Sequence, residues 1–231
     1  MTEFLQSSSA WGCALTLLAF AVGTFIHKKT KQAWCNPLLI GSLLVICTLG
    51  ALRIPYAQYK ASAQPISYLL LPATVSLAVP LYESWEILRK NAPAIFAGIA
   101  AGTLTSLGSI TLMAWLLHLS PAQYATLLPK SVTTAIGMDV AGLLGGMAPL
   151  AGAVIILTGI AGNLLAVWVC RVFRITSPMA RGVGVGTASH AIGTAKAMEM
   201  GKTEGAMSSL SIAVAGVLTA LLAPLFAGFV G

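Results

Sequence analysis

The sequence predicts an all-α polytopic membrane protein built from eight apolar segments, and three observations predict it. Of 231 residues, 57% are hydrophobic and 8% are charged, against about 25% charged in a soluble domain. A surface that poor in charge needs lipid around it. The apolar runs approach the roughly 20 residues that a helix needs to cross a bilayer, and no alternating pattern of a β-barrel occurs. The net charge of +7 lies in small basic clusters between the runs, which is a topology signal and not a nucleic-acid-binding face.

The first segment, Ala10–Ile26, follows a polar start with no basic region and is expected as a retained span, not a cleaved signal. Pro37–Leu52 is the second. The third, Ile66–Leu81, carries Pro72 and Pro80 and would make a poor straight helix facing lipid. Ala92–Leu119 is the long fourth segment, Ser131–Leu144 the fifth, and Met147–Val169 the sixth. The seventh, Gly182–Met198, lies in RGVGVGTASHAIGTAKAME, rich in glycine, hydroxyls and ionisable groups. Ala206–Val230 closes the series. Cys13, Cys35, Cys47 and Cys170 show no CxxC spacing and are read as small packing residues, with no metal site and no cofactor expected.

Loop charges sort these segments. If all eight cross fully, Lys28, Lys29, Lys31, Arg89, Lys90 and Lys202 face Arg53, Lys60, Lys130, Arg171, Arg174 and Arg181, a tie. If the third and seventh enter and leave on one face, one side collects Lys28, Lys29, Lys31, Lys130, Arg171, Arg174, Arg181 and Lys202. The other keeps Arg53, Lys60, Arg89 and Lys90, and the richer side is the cytoplasmic one. The favoured architecture therefore has six full spans and two re-entrant segments, with eight full spans as the alternative. Both termini are then non-cytoplasmic. Each half, 1–119 and 120–231, becomes three spans plus a broken segment (66–81 or 182–198). With three crossings per half, the halves form inverted-topology repeats, which place a substrate site where discontinuous helices meet at the midplane.

The seventh segment is the first candidate for that site. Gly184, Gly186 and Gly193 relax the helix and free backbone groups around Gly186–Ser189, while Thr187, Ser189 and Thr194 add hydroxyls. His190 and Lys196 are ionisable groups inside an apolar run, where charge is costly and usually functional. The fifth segment adds Lys130, Ser131, Thr133 and Thr134, with Asp139 mid-segment and in need of a partner if buried. In the third, Thr74 and Ser76 flank the break, and a half-helix starting near Ala73-Thr74 would favour an anion. His190 suits a proton-coupling role, since an unperturbed imidazole titrates at about 6.5. An enzyme is not expected. Ser189 and His190 are adjacent and point about 100° apart on a helix, and neither HExxH nor GxSxG occurs.

On these residues the chain resembles the LrgB/CidB family of bacterial membrane proteins. The resemblance rests on NPLLI at Asn36–Ile40, LLLPATVSLAVPLYE at Leu69–Glu83 and LLPKSVTTAIGM at Leu127–Met138. GVGTASHAIGTAKAMEM at Gly184–Met200 and EGAMSSL at Glu204–Leu210 extend it. One departure is TTAIGMDVAG, where the family pattern leads one to expect a proline after the second threonine and no acid. The resemblance implies a bacterial cytoplasmic (inner) membrane location and two functions. One is holin- or antiholin-like control of murein hydrolase activity and lysis with a small LrgA/CidA-type partner. The other is transport of small carboxylates, because the plastid glycolate/glycerate translocator is similar to an LrgA-like part fused to an LrgB-like part. Inverted halves with broken helices favour transport, proton-coupled and by alternating access, in a homo-oligomer. The carboxylate is then expected between the fifth and seventh segments with the third closing over it. Thr74, Ser76, Ser131, Thr133, Thr134, Gly186, Thr187 and Ser189 would supply donors, and Lys196 or Lys130 the counter-charge.

Overall fold

The computed structural model describes residues 10–30, 35–76 and 78–229; the side chains of residues 70, 71, 74, 80 and 81 lie outside that description. Among the described residues the regular structure is helical, with no strand. Four helices are long and apolar enough to cross a membrane: α1 (Trp11–Thr30), α7 (Trp85–Leu116), α10 (Ala148–Val172) and α12 (Lys202–Ala227). Large apolar side chains such as Leu17, Leu18, Phe25, Leu157, Trp168, Leu221 and Leu225 are exposed on these helices, a surface suited to hydrocarbon. The chain divides into two compact units, Met1–Ser76 and Leu77–Gly231.

In the first unit α1 packs on α2 (Pro37–Ala51) through small residues. A Cβ added at Gly23 would stand 2.7 Å from the Pro37 carbonyl oxygen, so only glycine allows that approach. Asn36 caps α2 by accepting the Leu38 N–H at 2.8 Å, with Pro37 in the first turn, where its missing N–H costs nothing. At 15 residues, α2 is about 22 Å long, shorter than the roughly 30 Å hydrocarbon core, where the sequence led us to expect a full span. Thr16 and Tyr59 join α1 to α3 (Tyr56–Ser62) by a 2.8 Å hydrogen bond. Residue 77 lies outside the described residues, and the third apolar segment is interrupted at Leu69, three residues before Pro72. It forms α4 (Gln64–Tyr68) and α5 (Leu70–Ser76) here and α6 (Ala78–Glu83) in the second unit.

The second unit continues through α7, α8 (Pro121–Leu127), α9 (Thr134–Leu143), α10, α11 (Pro178–Met200) and α12. Its two ends are marked by polar contacts. At one, Tyr124 bonds Thr111 of α7 at 2.7 Å and donates to the Phe226 carbonyl of α12 at 2.9 Å. At the other, Lys202 pairs with Glu83 at 2.8 Å and Arg181 with Glu204 at 3.9 Å. Helices α7 and α12 therefore run in one direction and α10 in the other.

Two segments of this unit double back. In α11, a Cβ on Gly193 would stand 3.2 Å from Val185 Cγ1. Residues eight apart on a straight helix are separated by about 12 Å along the axis, so the helix must reverse between them. It does so at His190, whose φ of 42° and ψ of −142° interrupt the helix. Register confirms the reversal. Gly182 and Gly186 meet Glu204 and Ser208, running parallel to α12, whereas Thr194 meets Ser208 and Gly205 meets Met198, running antiparallel. The seventh segment thus enters and leaves at one end, as expected.

The fifth segment is a correction. It was expected to cross, yet α8 and α9 form a second hairpin about the turn at 128–133. The Met147 N–H donates to Thr126 Oγ1 at 2.8 Å across 21 residues, a separation of about 30 Å along a continuous helix. This hairpin opens at the Tyr124 end, opposite Lys202. Lys130 therefore leaves the basic loop cluster to which the charge count assigned it and sits at a hairpin tip.

Candidate functional site between two hairpin tips

The tips approach each other from opposite ends of the unit. On α7 they touch within one turn: a Cβ on Gly102 would stand 2.8 Å from Thr187 Oγ1 of the α11 hairpin, and Ser106 Oγ bonds Ser131 Oγ at 2.8 Å. On α10 they meet around Ile155. Its side chain abuts Gly137 of α9, and its carbonyl accepts the His190 Nε2–H at 2.8 Å. A carbonyl cannot donate, so the imidazole proton is on Nε2. Ile155 lies seven residues into the 25-residue α10, about 10 Å from the start of that apolar helix.

Each tip has its own chemistry. The α8–α9 tip carries Pro129, Lys130, Ser131 and Thr133. The Lys130 ammonium donates to Ser131 Oγ at 3.1 Å, and among the described residues no carboxylate pairs with it. Thr103, one turn before Ser106 on α7, is 2% exposed, and its hydroxyl has no hydrogen-bond partner among the described residues. The Ser106 and Ser131 hydroxyls and the Lys130 ammonium thus form one connected group. Thr134 opens α9 with its methyl toward Gly152 of α10, and Thr133 contributes its carbonyl to the Gly137 N–H at 2.9 Å.

The α11 tip is held by packing. Gly159 accommodates the His190 ring, where a Cβ would stand 2.6 Å from Cε1, and Gly162 accommodates the Ser189 hydroxyl. Asn163 Nδ2 donates to the Ile192 carbonyl at 2.9 Å. Thr194 donates to the His190 carbonyl at 3.0 Å and bonds Ser208 Oγ at 2.6 Å. A non-glycine residue at positive φ costs about 1–3 kcal/mol and persists only where its surroundings hold it. These contacts do the holding.

The expected site residues separate into groups. Ser131 and Thr134 of the fifth segment and Thr187, Ser189 and His190 of the seventh contact the same two helices, α7 and α10, and Lys130 bonds Ser131. Gly186 is a correction: it does not free backbone groups, because α11 stays helical to Ser189 and Gly186 packs on the Ser208 backbone of α12. The break falls one residue past Ser189, so the freed donors belong to the start of the returning half. Thr187 spends its hydroxyl on the Val183 carbonyl at 2.8 Å. Lys196 pairs with Glu199 at 2.7 Å, one and a half turns beyond the tip, and leaves Lys130 as the cation at the meeting point. Asp139 is exposed on α9 and makes no ion pair among the described residues. Ser76 is exposed and donates to the Ala73 carbonyl at 2.7 Å, and the Thr74 side chain lies outside the described residues. Sequence reasoning missed Thr103, Ser106, Asn163 and Ser208. Their signal was faint: GxxxG at Gly98–Gly102 before the first pair, and GxxGN at Gly159–Asn163.

Residues 16–229 match the LrgB-like family. This chain belongs to that family. It is 34% identical over 225 residues to the antiholin-like protein LrgB of Bacillus subtilis (strain 168), covering 97% of each chain. An uncharacterized protein, YwbG, of the same strain is 34% identical over 215 residues, covering 93% of this chain and 96% of its own. The antiholin-like protein LrgB of Bacillus mycoides (strain KBAB4) is 31% identical over 222 residues and 96% of each. No solved structure matches the chain. The LrgB-family chain is accordingly a multi-pass membrane protein whose similarity to its relatives runs through both hairpins.

Proposed function

We propose that this LrgB-family chain is an antiholin-like membrane protein that restrains murein hydrolase activity and lysis together with a small LrgA-like membrane partner. The observation that carries the reading is the match to antiholin-like LrgB proteins along almost the full length of both chains. Its place is the bacterial cytoplasmic membrane. The test is a strain lacking the chain. Detergent-induced lysis should accelerate, and the chain should restore the slower rate only when the LrgA-like protein is co-expressed. Unchanged lysis in both arms would overturn the assignment.

A second reading, transport of a small carboxylate, is favoured by one observation: an ammonium and hydroxyls converge where two hairpins meet from opposite ends. An anion inside an apolar layer needs compensating charge and several donors, and hairpins entering from both sides are the backbone irregularity tolerated around a cavity at membrane depth. Lys130 is the counter-charge in this reading, Ser131, Thr103 and Ser106 the donors, and His190 the proton-coupling group. The order α7-then-hairpin recurs as α10-then-hairpin in the opposite direction, which supports alternating access through an inverted relation between 85–143 and 148–200, not between the expected halves 1–119 and 120–231. No covalent chemistry is assigned. Proteoliposomes given two- and three-carbon acids, with and without a pH gradient, should show saturable uptake. Lysis control without uptake would leave the first reading alone.

A further inference from the structure

The arginines at the mouth of the α11 hairpin take no part in the tip site. Arg171, Arg174 and Arg181 line one cavity of about 560 Å³, whose other walls include Val167, Ile175 and Met200. Arg181 is engaged: its Nε–H donates to the Ile175 carbonyl at 2.7 Å, and it pairs with Glu204. Among the described residues Arg171 and Arg174 are exposed and pair with no carboxylate. A second cavity, of about 280 Å³, shares Cys170, Ile175 and Arg181 with the first and continues between α10 and α11. Leu165, Val169, Gly184 and Ala188 line it, and it ends at Ser189, beside the helix break. Leu165, Gly184 and Ala188 are exposed, so the cleft opens outward. From Arg181 to Ala188 it follows the helix for about 10 Å.

A cationic mouth leading into an outward-facing apolar slot has the shape of one amphiphile. We propose that this groove binds a single anionic phospholipid, with its phosphate between Arg171 and Arg174 and one acyl chain lying in the cleft between α10 and α11. A free phosphate would fill the mouth and leave the slot wet. A peptide would find helical walls with no backbone donors to spare. Basic pockets between membrane helices are suited to anionic head groups, and the bound chain would brace the outer wall of the hairpin at Ser189. The inference is independent of which proposed function is correct.

The test uses the purified chain in detergent, with phosphatidylglycerol, phosphatidylcholine and inorganic phosphate as probes, read by native mass spectrometry and thermal unfolding. Phosphatidylglycerol should bind at least 10-fold more tightly than phosphatidylcholine and raise the melting temperature, while inorganic phosphate should do neither. Arg171→Gln with Arg174→Gln should weaken it by about 5-fold per arginine removed. Gly184→Leu should weaken it comparably with the charges intact; a Cβ there meets nothing within 4 Å, so the fold accommodates the change. Ala188→Phe is the second slot-filling variant should Gly184→Leu fail to express. Equal affinity for the two lipids would overturn the proposal. So would full protection by inorganic phosphate, or a slot variant that changes only the oligomeric mass.

Discussion

The two hairpins reach the same level from opposite ends, but they turn differently. The α8–α9 hairpin spreads its reversal over 128–133 and leaves a lysine and hydroxyls at its apex. The α11 hairpin reverses at His190 alone, with Gly159 and Gly162 of α10 closing around it and Ser208 of α12 bonded to Thr194. The wide turn is buried at Leu128, Pro129, Ser131 and Val132 and half-buried at Lys130, whereas the one-residue turn at His190 is clamped through its ring and the carbonyls beside it. In the transport reading the two tips would divide the work, Lys130 supplying charge and the His190 tip anchoring its hairpin.

The sharpest way to break this comparison is Lys130→Met. If the α8–α9 tip supplies the counter-charge, carboxylate uptake in proteoliposomes should fall at least 10-fold while the melting temperature stays within a few degrees. Equal loss of stability and uptake would show that Lys130 anchors rather than binds. The converse holds for the other tip. Gly159→Leu or Gly186→Leu should cost about 1–3 kcal/mol of stability through overpacking against His190 or the Ser208 backbone, read as a lower detergent-solution melting temperature. A smaller effect is expected from Ser106→Ala and Ser131→Ala. Their double-mutant cycle should give a coupling of about 1 kcal/mol for the shared hydroxyl bond, and zero coupling would place the tips apart. The smallest is His190→Gln, whose amide can still reach the Ile155 carbonyl. Its melting temperature should stay near wild type, while any pH dependence of uptake should flatten. A pH profile superimposable on wild type would remove His190 from proton coupling.

Much of the helical layout was legible because apolar run length is a strong signal, and the seventh segment's reversal was legible because glycines, hydroxyls, His190 and Lys196 crowd one run. The fifth segment's reversal was not. Its α9 half is apolar enough to read as the start of a span, and composition does not record direction. The position of the break also escaped, since Gly184, Gly186 and Gly193 suggested flexibility where Gly186 in fact serves close packing on α12. Thr103 and Ser106 looked like isolated hydroxyls in a long helix, which ordinarily bond their own backbone. Only the approach of a second segment from the far end gives Ser106 its partner, Ser131.

The hydrogen bond from Tyr124 to Phe226 spans 102 residues, and this sets an order of assembly. At about 5–20 residues per second, a ribosome delivers the end of α12 roughly 5–20 s after the α8–α9 hairpin has emerged. During that interval Tyr124 can already find Thr111 on α7, but its final acceptor and the packing surface of Ala223 do not yet exist. The α11 hairpin waits as well, for less time, because the wall formed by Glu204, Ser208 and Ser211 follows it directly. One late helix therefore completes both hairpins. A chain stalled or cut before Lys202 would hold two polar reversals with no common wall, and membrane quality-control proteases should recognise it at that stage.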